Sequence, residues 1–224
     1  MSTLRSRRVA DVLGKLFADA EKNDPPRLAR VRAEVGRHNV QMPDEDRKKF
    51  MQLMRDIYIP VAPEVGRLIY LLVWARRAQT IVEFGTSLGI SAIHLAAALR
   101  DNGSGKLIAT ELDDSKAERA RQNLNEAGLD DLVEIRAGDA FATLRDGPET
   151  IDFLLLDGWK EAYLPMLKLL EPRLVPAAVI VADDLNIAPE SLAPYLAHVR
   201  DPTNGYASAE MPLGDCIEIS IRSG

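Results

Sequence analysis

The chain has 224 residues, 46% hydrophobic and 28% charged, with a formal net charge of −6, which allows one sizeable core. The negative balance argues against a nucleic-acid or anionic-membrane partner, since either demands a basic footprint; Arg5, Arg7 and Arg8 read as a solvated helix face. A single cysteine, Cys216, excludes an internal disulfide framework, fits a reducing compartment and is expected to serve core packing. No charged-then-apolar leader opens the chain, and no apolar run reaches the roughly 20 residues of a membrane span, so a soluble, cytoplasmic protein is expected.

Val9, Val12, Leu13, Leu16 and Phe17 fall at helical spacing until Asn23-Asp24-Pro25-Pro26 interrupts them. A second helix is expected from Arg27 and a third from Asp44, after Met42-Pro43. These helices carry too few apolar residues to stand alone, so residues 1–77 are expected to cap a core of residues 78–224 within one domain. Ile59-Pro60-Val61-Ala62-Pro63 reads as a stiff extended link, because each proline biases its predecessor away from helix. A helix over 64–77 follows, with Leu68, Leu71, Leu72 and Trp74 expected in the core. From Thr80 strand, loop and helix alternate. Strands are predicted over 81–84, 106–110, 132–136, the run closing at Asp157, and 177–182; helices over 90–99, 115–127, near Phe141, 160–170 and 190–199. Such alternation specifies an α/β fold with a doubly wound, mostly parallel, Rossmann-like sheet. Two last strands, 206–211 and 216–221, joined by Pro212-Leu213-Gly214-Asp215, suit a C-terminal antiparallel hairpin and bring the sheet to seven strands.

The chemistry-bearing residues cluster where these strands end. Ile151-Asp152-Phe153-Leu154-Leu155-Leu156 closes in Asp157-Gly158-Trp159-Lys160, and Ala177-Ala178-Val179-Ile180-Val181-Ala182 closes in Asp183-Asp184. In open α/β sheets ligands bind at that edge. Three carboxylates at one rim would raise each other's pKa unless a cation compensates, so either a metal sits there or the two strands are not neighbours. After the first strand, Glu83-Phe84-Gly85-Thr86-Ser87-Leu88-Gly89 opens a helix containing Ser91. Its glycines let backbone approach a ligand, or make only a tight packing turn. The spacing is not the G-x-G-x-x-G that cradles a pyrophosphate, and an acid beside the loop suits a cationic ligand better. Glu111 closes the second strand where such folds place a ribose-binding acid, and Gly138-Asp139-Ala140 closes the third in position to flank an adenine.

With those motifs in view, the region from about Ile59 onward resembles the S-adenosylmethionine-dependent O-methyltransferases of the catechol and caffeoyl-CoA type. The carriers are the Glu83–Gly89 loop, Glu111, Gly138-Asp139-Ala140, Asp157-Gly158-Trp159-Lys160, Asp183-Asp184 and Gly214-Asp215. The resemblance implies that Glu83, Gly85 and Ser91, with Thr86 and Ser87 beside them, hold the methionine end of the cofactor. Glu111 and Leu112 would hold the ribose side. Gly138, Asp139, Ala140 and Trp159 would lie near the adenine, with Asp157 touching cofactor as well as metal. It assigns a divalent cation to Asp157, Asp183 and Asp184, and oxygen ligands of this kind favour Mg²⁺. The family usually has Asn where this chain has Asp184, so the extra charge tightens metal binding, changes the preferred ion or marks lost metal dependence; Asn186 offers another alignment.

The resemblance makes Lys160 the general base, with Asp157 its catalytic companion. A lysine in the first turn of a helix opposes the macrodipole, which together with a nearby cation lowers its pKa. Glu218 can be laid over a substrate-hydroxyl contact of the catechol enzymes, though strand alternation predicts an acid there almost as well. His38, His94 and His198 lack companions at ligand spacing and read as structural. The acceptor, a small catechol-like molecule, would meet the cap and the loops at 58–61, 186–190 and 206–213. A homodimer is also implied. Two other readings stay open: a nucleotide-dependent oxidoreductase on a similar sheet, and a cofactor-binding protein of the same fold without metal or activity.

Overall fold

The computed structural model describes residues 2–35 and 44–223; His38 and the Met42-Pro43 step lie outside them. Among the described residues seven segments form one sheet: β1 Thr80–Phe84, β2 Lys106–Glu111, β3 Val133–Ala137, β4 Ile151–Leu156, β5 Leu174–Ala182, β6 Tyr206–Met211 and β7 Ile217–Arg222. The α-helices among the described residues are α1 Arg7–Val35, α2 Asp44–Met54, α3 Pro63–Arg76, α4 Ile90–Asn102, α5 Asp114–Ala127, α6 Ala140–Thr143, α7 Tyr163–Leu170 and α8 Pro189–Arg200.

The strand order is β3-β2-β1-β4-β5-β7-β6. Neighbours from β3 to β5 run parallel, while β7 is antiparallel to both β5 and β6. The expected α/β architecture with its terminal hairpin is therefore what the chain adopts. β1 lies between β2 and β4, so the chain order reverses there, and the crevice outside the carboxyl ends of β1 and β4 is where such sheets bind ligands. β4 is buried along nearly its whole length, as a strand covered on both faces must be. One apolar cluster joins α1, α3, α4 and α5 to one face of the sheet; a second joins α7 and α8 to the other. A small third cluster, Val31, Phe50 and Ile57, ties α1 to α2, with Trp159 against it.

Four local expectations are corrected. First, α1 does not break at Asn23-Asp24-Pro25-Pro26 but runs through both prolines. Pro25 and Pro26 are exposed, so water can take the carbonyls they leave without partners, while Ala20, Asp24 and Val31 stay buried on the opposite side. Second, Leu71 and Trp74 of α3 are exposed, at 51% and 45%. The helix buries Val65, Gly66, Ile69, Tyr70 and Val73 instead, the face on which Gly66 lets α4 come close. Third, β5 starts at Leu174 rather than 177, with an irregular register against β4 and a positive φ of 60° at Ala177. Fourth, β7 starts at Ile217 rather than at Cys216, which stands at φ 64°, half-buried against the second apolar cluster as expected, with its Sγ accepting from Asn186. Among the described residues no helix is long and apolar enough to cross a membrane.

Candidate active site

Asp157 and Asp183 follow β4 and β5, whose last residues, Leu156 and Ala182, are register partners. The two strand tips are thus neighbours, and Asp184 joins them from a backbone at φ 64°, a conformation that aspartate tolerates better than most side chains. Its N–H donates to Asp183 Oδ1 at 2.9 Å. Lys160, 8% exposed, enters this rim from a 3₁₀ turn, Lys160–Ala162, that precedes α7. Its Nζ lies 3.0 Å from Asp184 Oδ2 and 3.7 Å from Asp157 Oδ1, and donates to the Tyr163 hydroxyl at 2.7 Å. That hydroxyl donates in turn to the Asp183 carbonyl at 3.0 Å.

Burial raises the Asp157 carboxyl well above the ordinary range; the Lys160 ammonium opposes the rise, and Asp183, Asp184 and Glu83 add to it. Burial and the Asp184 charge push Asp183 up to about 7. A lysine is thus the cation among these acids. Among the described residues no three His, Cys, Asp or Glu side chains are arranged to hold a metal ion as they stand. Asn186 turns elsewhere: its amide donates to Cys216 and its backbone N–H to the Asp215 carbonyl.

Beside the rim, Glu83 near the end of β1 is fully buried, and neither carboxyl oxygen has a hydrogen-bond partner. Burial pushes its pKa up to about 7; the nearby Ser91 and Thr86 hydroxyls offset part of the rise without closing a bond. Thr86 Oγ1 is orphaned too. Gly85 follows at φ 90°, where a Cβ would stand 2.7 Å from the Asp157 carbonyl oxygen, so only glycine lets the two loops approach this closely. Ser91 is buried in the first turn of α4.

Ser87 donates its N–H to Glu111 Oε2 at 2.9 Å and its hydroxyl to the Tyr58 carbonyl at 2.7 Å. Glu111 also accepts from the Asp113 N–H, and burial raises its pKa. Leu112 is 49% exposed beside it. Gly138, at φ 110°, donates to the Glu111 carbonyl, and the Asp139 carboxyl caps α6 by accepting from Phe141 N–H at 2.9 Å; Ala140 is buried. The Trp159 ring packs at 5.7 Å from Phe50 of α2, so it meets the cap.

Two residues of this neighbourhood, Lys116 and Asp24, escaped the sequence reading for their roles here. Lys116, buried in the first turn of α5, donates to the Ile57 carbonyl at 2.8 Å and to Ser87 Oγ at 3.2 Å. Asp24, also buried, accepts the N–H groups of Tyr58 and Ile59, and Tyr58 donates its hydroxyl to Asp19. They fasten the link at 57–59 over the glycine loop. The residue before a proline pair gave no sign of a buried carboxylate; a lysine just after an N-cap acid, Asp113, was the one available hint of Lys116.

Of the two readings left open for Glu218, its surroundings favour the structural one. It is fully buried, paired with Arg200 and bonded by Ser208, because its position opposite Ala182 turns its side chain toward α8. His94 is structural, its Nδ1 2.8 Å from the Ile90 carbonyl, and His198 bonds Glu171. A broad surface depression of about 630 Å³ along α5 and β3 lies away from the strand tips and is lined largely by solvated polar side chains.

A family model described as a methyltransferase domain matches residues 82–185. The catechol O-methyltransferase of Sus scrofa is 33% identical over 147 residues, covering 62% of this chain and 77% of that protein. The chain belongs to the S-adenosylmethionine-dependent O-methyltransferases. A second relative of this methyltransferase, the catechol O-methyltransferase of Niastella koreensis, is 34% identical over 131 residues, covering 57% of the chain and 58% of the relative. With several relatives, then, the match spans little more than half of their length. In fold, the methyltransferase is similar to the O-methyltransferase TomG of Streptomyces achromogenes, solved with SAM, at TM-score 0.68 and 24% identity over 92% of this chain and 99% of that one. An O-methyltransferase of Bacillus cereus solved with SAH gives TM-score 0.67 at 20% identity, over 95% and 91%. Family membership sets the oxidoreductase alternative aside.

Proposed function

We propose that this methyltransferase transfers a methyl group from S-adenosylmethionine to one hydroxyl of a small catechol-like molecule. The observation that carries the reading is the buried, orphaned Glu83 carboxylate beside the Gly85 cradle, next to the rim of Asp157, Lys160, Asp183 and Asp184. An unpaired buried acid is costly unless a ligand completes it, and the amino-acid end of the cofactor carries the ammonium that would do so. Glu83, Thr86 and Ser91 would hold that end, Ser87, Glu111 and Leu112 the ribose side, and Gly138, Asp139, Ala140 and Trp159 the adenine side.

The rim fits a hard divalent cation in donor chemistry and charge, since three carboxylates and one ammonium leave two negative charges. Asp157, Asp183 and Asp184 would hold it through carboxylate oxygens that Lys160 leaves free, such as Asp184 Oδ1. When bound, the cofactor supplies an electrophilic methyl on a sulfonium, and the cation favours the deprotonated hydroxyl. As the new C–O bond forms and the S–C bond breaks, Lys160 would accept the hydroxyl proton as a neutral amine, having first released one of its ammonium protons to solvent. Asp157 lies between the two halves and lines both the cradle and the rim. Exposed Ile59 and Ile187 lie on loops assigned to the acceptor, exposed Met211 ends β6 in the 206–213 stretch of the same assignment, and all three suit an apolar ring.

The test is transfer of a labelled methyl from S-adenosylmethionine to catechol. Asp157→Ala should abolish it while S-adenosylhomocysteine still binds by calorimetry; full turnover in that variant refutes the assignment. A second reading, transfer without metal, is favoured by the Lys160 ammonium already paired with Asp184 at 3.0 Å, and undiminished turnover in a chelator would select it. The proposal extends to a cytoplasmic enzyme with no nucleic-acid or membrane partner, consistent with its net charge of −6, and to a homodimer, which light scattering measures.

A further inference from the structure

Tyr163 opens α7 with its ring fully buried, edge-on to Phe84 at 6.5 Å and to Tyr195 at 5.8 Å. Its hydroxyl makes two bonds of opposite sense, donating to the Asp183 carbonyl at 3.0 Å and accepting from Lys160 Nζ at 2.7 Å. An ammonium has three hydrogens and no acceptor. One goes to Tyr163 and one to Asp184 at 3.0 Å, which leaves the third on the side of Asp157, 3.7 Å away. A lysine stem is flexible, so one ion pair would leave the charge mobile. Here a helix-borne hydroxyl and a loop-borne carboxylate grip it from two sides. Because the same hydroxyl is tied to the tip of β5, the turn after β4 and the end of β5 are registered on a single atom.

We propose that Tyr163 is a positioning residue of the transfer site: its hydroxyl, with Asp184, fixes Lys160 Nζ beside Asp157, so that the nitrogen, once its third proton has gone to solvent, meets the acceptor hydroxyl at a set separation. The role as stated rests on the methyl-transfer reading, but the placement of the lysine does not. The competing explanation is that the hydroxyl only satisfies a buried carbonyl. Loss of the hydroxyl would then leave Lys160 where it is.

The test is Tyr163→Phe in the full chain, which keeps the ring and its packing. Reductive methylation with formaldehyde and borane, followed by peptide mass spectrometry, compares the rate at Lys160 with that at exposed Lys106. Removing a charge-assisted bond should raise the Lys160 to Lys106 ratio roughly tenfold with the melting midpoint lowered by only roughly 2–4 °C; an unchanged ratio overturns the proposal. Should the phenylalanine variant melt early, the ratio is read at a temperature where both proteins keep their full far-UV circular dichroism. A rise in the ratio there supports a gripped lysine, and no rise overturns it. With catechol as acceptor, Tyr163→Phe should lower kcat at least roughly tenfold and leave both KM values within about twofold, whereas a loss confined to KM overturns the positioning role. If the wild type turns over no catechol, the transfer reading falls and the modification ratio alone decides whether Tyr163 holds the lysine.

Discussion

Arg200 grips Glu218 with both arms of its guanidinium: Nε donates to Oε1 at 3.0 Å and Nη2 to Oε2 at 2.5 Å. Glu218 has no exposed surface, and the Ser208 hydroxyl occupies it further at 2.6 Å. Removing one partner strands a buried charge, at a cost of about 3–5 kcal/mol for a fully buried pair. Arg200 is 43% exposed, and solvent screening brings the expected loss for Glu218→Ala to about 2–3 kcal/mol, measured by urea denaturation. The acceptor KM of the surviving folded protein should not change. A raised KM with full stability would return Glu218 to the substrate.

Glu83 binds its proton more tightly when folded, about 7, than the ordinary 4.5, because burial penalises the anion. The stability held in its neutral form is complete below about pH 4.5 and is lost as pH rises through about 7. Denaturation of the ligand-free protein across that window should show the decline, and Glu83→Gln should flatten it. If Glu83 holds the cofactor's ammonium as proposed, binding needs the anion, so wild-type affinity for S-adenosylhomocysteine should weaken as pH falls below 7. The glutamine variant should bind roughly 10–100-fold more weakly with little pH dependence. A variant as tight as wild type would remove Glu83 from the cofactor site.

Gly66 of α3 lies against the His94 ring of α4, where a Cβ would come within 2.7 Å of Cε1 and Nε2. Gly66→Ala should cost about 1–3 kcal/mol through overpacking, and His94→Ala should relieve part of that cost, so the double-mutant cycle should show coupling rather than additivity. Burial lowers the His94 pKa from 6.5 to about 4. Its contribution is therefore present above pH 6.5 and lost as pH falls through about 4. His94→Leu should flatten the acid arm of the stability profile between those values.

Tyr195 contrasts with the tyrosine it touches. Its hydroxyl is buried without a hydrogen-bond partner, with Ser220 nearby, and burial pushes its pKa up, whereas the Tyr163 hydroxyl is bonded twice. Tyr195→Phe should be neutral or stabilising by up to about 1 kcal/mol, and Tyr163→Phe destabilising by about 1 kcal/mol. Thermal denaturation of the two variants side by side checks the difference. A marked loss for Tyr195→Phe would mean its hydroxyl has a partner.

The parallel sheet and its strand tips were legible because both are written locally. Short apolar runs closing in Asp157 and Asp183, and glycines at 85, 89 and 138, carry their own conformational demands. The adjacency of β4 and β5, which decides whether those acids share one rim, was left open and emerged only with the sheet order. Helix faces and breaks were less legible. The prolines at 25 and 26 carry a local signal that packing overrode, and on α3 the position of one glycine chose the buried face over the more apolar-looking side bearing Leu71 and Trp74.

The partners of the site's charges could not be read from the chain at all. Lys160 meets Asp184 across 24 residues, Lys116 meets Ile57 across 59, and Arg200 meets Glu218 across 18. Residue order thus determined the kinds of element and the chemical groups brought to the sheet edge, since those follow from backbone propensity and apolar periodicity. Only the folded arrangement decided which acid stays empty, which is gripped by lysine and which is sealed by arginine. Burial and direction of a side chain are properties of what packs around it, and that surrounding comes from distant parts of the chain.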